Sequence, residues 1–231
     1  DEVFRCLSVD VQQKHNMKFW AAIAFSKSEI RILDHGVVSK WTEIDTKAKQ
    51  YNIPSQAVIV DTGYNANEVY LEAFNRGNVV KLGGVVDIIG WCCVKGADAD
   101  DGFVHKGPKG ERIIRYYSTL SRPQLNNNKL GRLYLWSNKL IKDMLYHIRE
   151  GKSEYKIVLP VPDPEFDKQL QSETLQEVVD AKTGLKKLRW EKISDDNHYL
   201  DIVCQGIVLA LMANKFGQDP HKFEKIDTNG S

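Results

Sequence analysis

The apolar run from Val3 to Val9 is interrupted only by Arg5 and Ser8, and it ends at a carboxylate, Asp10. A second apolar run opens at Met17, so the spacing predicts a strand, a turn and the return strand of a hairpin, with Asp10 near the end of the first strand. A carboxylate there is costly if buried alone and needs a cation, a set of hydrogen bonds or water. Two other stretches offer partners. Ala57-Val58-Ile59-Val60 is a continuous apolar run that also ends in Asp, at Asp61. Asn197-His198-Tyr199-Leu200-Asp201 opens a long apolar helix with an acid in its first turns. The central expectation is that Asp10, Asp61 and Asp201 converge to hold a divalent metal.

The pattern predicts strands over 3–9, 17–25 and 29–38, a helix over 41–51 punctuated by Pro54, and a buried strand over 57–60. A helix over 65–75 stopped by Gly77 follows, then one buried run over 85–94. The first half therefore reads βββαβαβ, a mixed sheet with helices on its faces. Residues 97–112 are polar and Gly-rich and read as a mobile loop, followed by strands over 113–117 and 132–136 and a helix over 138–149. Residues 156–164 read as extended, 165–176 as a helix, 177–193 as a hairpin turning at Thr183-Gly184, and the last helix as running to about Asn214, capped by Asp196 or Asn197. No linker splits the 231 residues, so 1–214 is expected to form one domain and 215–231 a tail. The early entry into a strand suggests a fragment of a longer protein.

A net charge of +1 leaves nucleic-acid binding to local basic patches rather than to the chain as a whole. No run of eighteen apolar residues is present, so no membrane span is expected. The four cysteines, Cys6, Cys92, Cys93 and Cys204, each lie in an apolar run without a Cys-x-x-Cys pair, and read as small buried hydrophobes rather than zinc ligands or disulfides. Gly107-Pro-Lys-Gly-Glu-Arg112 is Gly-rich and basic but lacks the Gly-Lys-Ser/Thr of a phosphate-binding loop, so no ATP site is expected.

The ordered pattern Val9-Asp10-Val11-Gln12, Val60-Asp61-Thr62-Gly63-Tyr64 followed by Asn67-Glu68-Val69-Tyr70, Val94-Lys95-Gly96, and Asn197 four residues before Asp201 resembles the C-terminal nuclease domain of tailed-phage terminase large subunits, in the lambdoid branch. Trp136 to Asp143 and Gln169 to Glu173 agree with it, and the resemblance covers roughly residues 3–213. It implies a ribonuclease H-like α/β fold, a mixed five-stranded sheet flanked by helices, in which the first and fourth strands are neighbours, with a β-hairpin insertion near the C-terminus. It implies that Asp10 matches the first-strand acid, Asp61 the fourth-strand acid and Asp201 the acid opening the last helix. It also implies two Mg²⁺ or Mn²⁺ ions, Asp10 bridging them and Asp61 and Asp201 each completing one site, a geometry that clamps the attacking and leaving oxygens of a phosphodiester displacement. The implied activity is metal-dependent endonuclease cleavage of concatemeric double-stranded DNA during genome packaging, in the cytoplasm of an infected bacterial host. The implied partners are duplex DNA, an upstream ATPase domain, the portal and the small terminase subunit, with no membrane.

Each residue also has a plainer reading. Asp10 can be a turn residue, Asp61 a helix cap, and Asp201 a favourable acid at a helix N-terminus. His198, one helical turn before Asp201, can orient water near a metal or simply be a satisfied surface histidine. Glu43 and Asp45 lie near where ribonuclease H carries a fourth acid, without a convincing match. Asp98, Asp100 and Asp101 read as a solvated loop rather than a calcium site. Lys95, Lys106, Lys109 and Arg112 are candidate contacts to the DNA backbone, with Arg115, Tyr116 and Tyr117 nearby, or a solvated loop; Lys186, Lys187 and Arg189 form a second candidate. Trp20, Trp41, Trp91 and Trp136 read as core. Two other function classes stay open: a ribonuclease H-like junction resolvase or integrase, and a catalytically silent module that grips DNA or the portal.

Overall fold

A computed structural model describes residues 1–12, 17–82, 85–124, 131–179 and 184–216. Its centre is the strand pair that the sequence made pivotal. β1 (Phe4–Val11) lies antiparallel to β2 (Lys18–Phe25), with Asp10 opposite Phe19, and β2 pairs antiparallel with β3 (Glu29–Val38). On its other side β1 lies parallel to β4 (Val58–Asp61). Between β3 and β4 runs α1 (Trp41–Gln50), and after β4 comes α2 (Ala66–Asn75). These are followed by a two-stranded hairpin, β5 (Asn78–Leu82) and β6 (Val85–Ile89), and then by β7 (Cys92–Ala97), parallel to β4. A second hairpin, β8 (Phe103–Lys106) and β9 (Arg112–Arg115), precedes β10 (Tyr134–Ser137), which lies parallel to β7. The chain closes with α3 (Asn138–Arg149), β11 (Lys156–Val158), α4 (Pro164–Leu170), the hairpin β12 (Glu173–Val179) and β13 (Lys186–Lys192), and α5 (His198–Met212).

The main sheet has seven strands in the order β10-β7-β4-β1-β2-β3-β11. This is the expected α/β architecture, compatible with a ribonuclease H-like fold, with a hairpin inserted near the C-terminus. The adjacency of the first and fourth strands holds. The sheet is wider than the expected five strands because β10 extends one edge and β11 pairs parallel with β3 at the other.

Strand alternation divides the core between two faces. Leu7, Val9 and Val11 point to one face, where they meet Trp41, Ile44 and Ala48 of α1 and Val69, Tyr70 and Ala73 of α2. Cys6 points to the other, among α3, α4 and α5. The adjacent Cys92 and Cys93 divide in the same way, and all four cysteines are free thiols. The four tryptophans expected in the core, Trp20, Trp41, Trp91 and Trp136, are buried. α5 lies closest to the sheet. A side chain at Gly206 would put its Cβ 2.7 Å from Ile23 Cδ1, so the absence of one permits the approach. Burying the apolar side chains of α5 contributes roughly 1.5–3 kcal/mol each, which outweighs its single acidic residue.

Several local expectations are corrected. The run over 85–94 is two strands. It breaks at Gly90, where a Cβ would fall 2.4 Å from the Ala73 carbonyl oxygen, so the backbone there packs on the end of α2 rather than continuing a ladder. The 97–112 stretch, expected as a loop, folds into β8–β9, with Gly110 supplying the positive φ of the turn. The helix expected over 165–176 is only Pro164–Leu170, because β12 starts at Glu173 and takes the next residues into a ladder with β13. Phe216, placed in the expected tail, is buried against Phe25 and Tyr155. Residues 217–231 of that tail, and Thr183 of the expected hairpin turn, lie outside the described residues.

Candidate active site

β1, β4 and β7 run parallel, so their C-terminal ends share one edge of the sheet. Asp10 sits at the end of β1 on the face covered by α5, and Asp61 is the last residue of β4. α5 presents His198, Asp201 and Gln205 at i, i+3 and i+7, a single stripe. Ser8 Oγ donates to Gln205 Oε1 at 3.3 Å, and His198 Nδ1 lies 3.0 Å from Asp10 Oδ2. These two contacts set α5 running back along β1 and bring Asp201 to the same edge as the other acids.

The three acids lie within electrostatic reach of one another. Burial raises the Asp61 carboxyl first, and Asp10 and then Asp201 raise it further; the Gly63 N–H, donating to Oδ2 at 2.6 Å, and Lys95 oppose this, and the outcome is about 7. The Asp201 carboxyl also reaches about 7: burial raises it, Lys142 opposes, and Asp10 and Glu173 push it up. Both side chains are half-buried. Asp10 is deeper, 3% exposed. Among the described residues no group of three or more His, Cys, Asp or Glu side chains is drawn close enough to form a metal-ligating set.

Polar groups from several elements surround the acids. Gln12 Nε2 donates to Asp10 Oδ2 at 2.5 Å, as strand alternation allows for residues two apart. Of the two expected caps, Asp196 and Asn197, Asn197 takes the N-cap position of α5, but its side chain makes no cap bond. Its Nδ2 instead donates to Asp201 Oδ2 at 2.9 Å and to Glu173 Oε1 at 3.2 Å. Lys142 of α3 donates to both oxygens of Glu173, at 2.8 and 2.7 Å, and lies 3.9 Å from Asp201 Oδ1. Burial works against the charge on Lys142, but the acids around it outweigh that, and its ammonium is held above the ordinary range. Lys142 and Glu173 lie in the stretches Trp136 to Asp143 and Gln169 to Glu173 that the resemblance covers, but they are far from Asp201 in the chain and their pairing with it is not legible there. Gln12 and Asn197 belong to the motifs that carry the resemblance, and His198 reads in the sequence as able to orient water near a metal or as a surface residue; their contacts to the acids come from the fold.

Other candidates fall into place. Glu43 and Asp45 are on α1, over the opposite face of the sheet. Glu43 accepts from the backbone N–H groups of Ser39 and Lys40, and Asp45 pairs with Arg76, so both serve the helix and its packing. Asp98, Asp100 and Asp101 are exposed, as are Asp195 and Asp196. Lys95 is exposed at the end of β7, beside Asp61. Lys106, Lys109 and Arg112 are exposed on β8–β9, a hairpin that emerges from the same sheet edge as Asp61. In the second basic group Lys186 pairs with Glu177 and Arg189 with Glu191. No family model, curated protein or solved structure matches the chain. Among the described residues no helix is long and apolar enough to cross a membrane.

Proposed function

We propose that this chain is a metal-dependent endonuclease domain acting on double-stranded DNA, of the kind carried by tailed-phage terminase large subunits. The observation that carries the reading is the placement of three acids at one sheet edge: Asp10 at the end of β1, Asp61 at the end of the adjacent parallel β4, and Asp201 one turn after His198, which itself contacts Asp10. Three carboxylates, hard oxygen donors, fit Mg²⁺ or Mn²⁺, which bind through a few carboxylates plus water and phosphate oxygens. A divalent ion held there supplies Lewis-acid polarisation of the phosphate and a water of lowered pKa. The chain's own residues do the rest. Gln12 and His198 hold Asp10, the Gly63 N–H holds Asp61, and Asn197 and Lys142 hold Asp201. Lys95 and the basic residues of β8–β9 engage the phosphate backbone, which positions DNA without reading its sequence. In the complete protein the domain serves genome packaging in an infected bacterium, beside an ATPase domain, the portal and the small subunit.

The test is plasmid cleavage in Mg²⁺, Mn²⁺ or EDTA, with Asp10→Asn and Asp201→Asn alongside. Cleavage that requires metal and is lost in both variants is the expected result. Binding of plain duplex that ignores metal, without cutting, would replace this reading with a silent DNA- or portal-gripping module. Preference for branched substrates would indicate a resolvase instead.

A further inference from the structure

His198 contributes more to this site than its place beside Asp201 requires. It opens α5, and its ring stacks on Phe19 with centroids 4.0 Å apart and planes 25° from parallel. Phe19 is the residue directly opposite Asp10 in the β1–β2 register. The same pairing that places Asp10 therefore also sets the plane of the imidazole, and in that plane Nδ1 lies 3.0 Å from Asp10 Oδ2. The histidine side chain is 13% exposed and that of Asp10 5%, so the contact is sheltered from competing water. Gln12 Nε2, which can only donate, meets the same oxygen at 2.5 Å. With Oδ2 accepting, the imidazole proton belongs on Nδ1. Two donors from different elements thus converge on one oxygen of Asp10, and among the described residues none meets Oδ1.

We infer that His198 is a positioning residue for metal binding: its Nδ1–H, with Gln12, holds Asp10 by Oδ2 and leaves Oδ1 as the oxygen offered to a divalent cation shared with Asp61 and Asp201. The inference rests on the metal-site reading. Phe19 acts through the ring, as the surface that keeps it from rotating. Ligating carboxylates commonly depend on such partners, because a carboxylate free to turn loses orientation each time it binds.

Calorimetric titration of Mn²⁺ into the metal-free chain tests this with three substitutions at one position. His198→Phe keeps the stacking surface and removes the donor. His198→Asn places an amide N–H where Nδ1 was. His198→Gln places it where Nε2 was. His198→Phe is expected to weaken Mn²⁺ binding about 10- to 100-fold, with His198→Asn restoring most of it and His198→Gln little. In the metal-free wild type, ¹⁵N imidazole spectra are expected to show the proton on Nδ1. Mn²⁺ affinity in His198→Phe within about twofold of wild type, while Asp10→Asn has lost binding, would overturn this inference and leave the metal site standing. Equal weakening by the Phe and Asn variants would overturn it too, since the Nδ1 bond would then not be what matters. A wild type that binds no Mn²⁺, or an Asp10→Asn variant that binds it normally, would instead remove the metal site itself.

Discussion

Asp61→Asn is expected to make the metal-free domain more stable at neutral pH while destroying the proposed site. Burial and the charges of Asp10 and Asp201 move the Asp61 carboxyl from its ordinary 3.8 to about 7. Such a group is easier to keep protonated in the folded chain than in the unfolded one. Between pH 4 and pH 7 the folded state therefore binds more protons, and stability falls as pH rises through that window. Once both states are ionised, the displacement from 3.8 to about 7 corresponds to a ceiling of roughly 4 kcal/mol. Asp61 is only half-buried, so solvent screens part of this, and we take about 2 kcal/mol as the working value. Asparagine removes the charge and keeps an oxygen for the Gly63 N–H, which donates to Oδ2 at 2.6 Å in the wild type. For a chain of this size 2 kcal/mol corresponds to about 4–8 °C in melting temperature. Calorimetry in EDTA should show that gain at pH 8, and it should shrink by more than about half at pH 5. Excess Mn²⁺ should reverse the order, raising the wild type and leaving the variant where it was. A variant no more stable than wild type at pH 8, or equally stabilised at both pH values, would refute the electrostatic reasoning.

Glu173→Leu leaves Lys142 buried without its bidentate partner, and urea unfolding should record a loss of about 3 kcal/mol, the low end for breaking a buried pair, because Asp201 at 3.9 Å retains part of the attraction. Trp190→Phe removes the 2.8 Å bond from Nε1 to Asp143 that ties β13 to α3, and should cost about 1 kcal/mol, with amide exchange quickening in β12–β13 and not in the seven-stranded sheet. Replacing Lys106, Lys109 and Arg112 together by Ala should lower the slope of log K against log salt for duplex binding by about 0.9 for each phosphate that is no longer neutralised; an unchanged slope would remove β8–β9 from the DNA path.

The sequence by itself determined the framework and the places of Asp10, Asp61 and Asp201 in it, at the ends of β1 and β4 and the start of α5. β1 to β4, α1 to α3 and α5 are legible because each carries an apolar repeat of one period, and both strand acids stand where an apolar run ends. The four tryptophans and the alternation of Cys92 and Cys93 follow from the same rule. It misplaced elements whose shape depends on distant contacts. Gly90 breaks a β-branched run because α2 lies against it, and α4 ends early because β13 offers a ladder to the residues after Ser172. Only the tertiary structure decided how the acids are held. The side chain of Asn197 leaves its helix end for Asp201 because Glu173 and Lys142 come together beside it, from β12 and α3. His198 ceases to be a surface residue because α5 runs back along β1 and Phe19 fills the space under the ring. Periodicity is a property of neighbours in the chain and so survives in the sequence, whereas the partner of a buried charge is set by which elements meet in space.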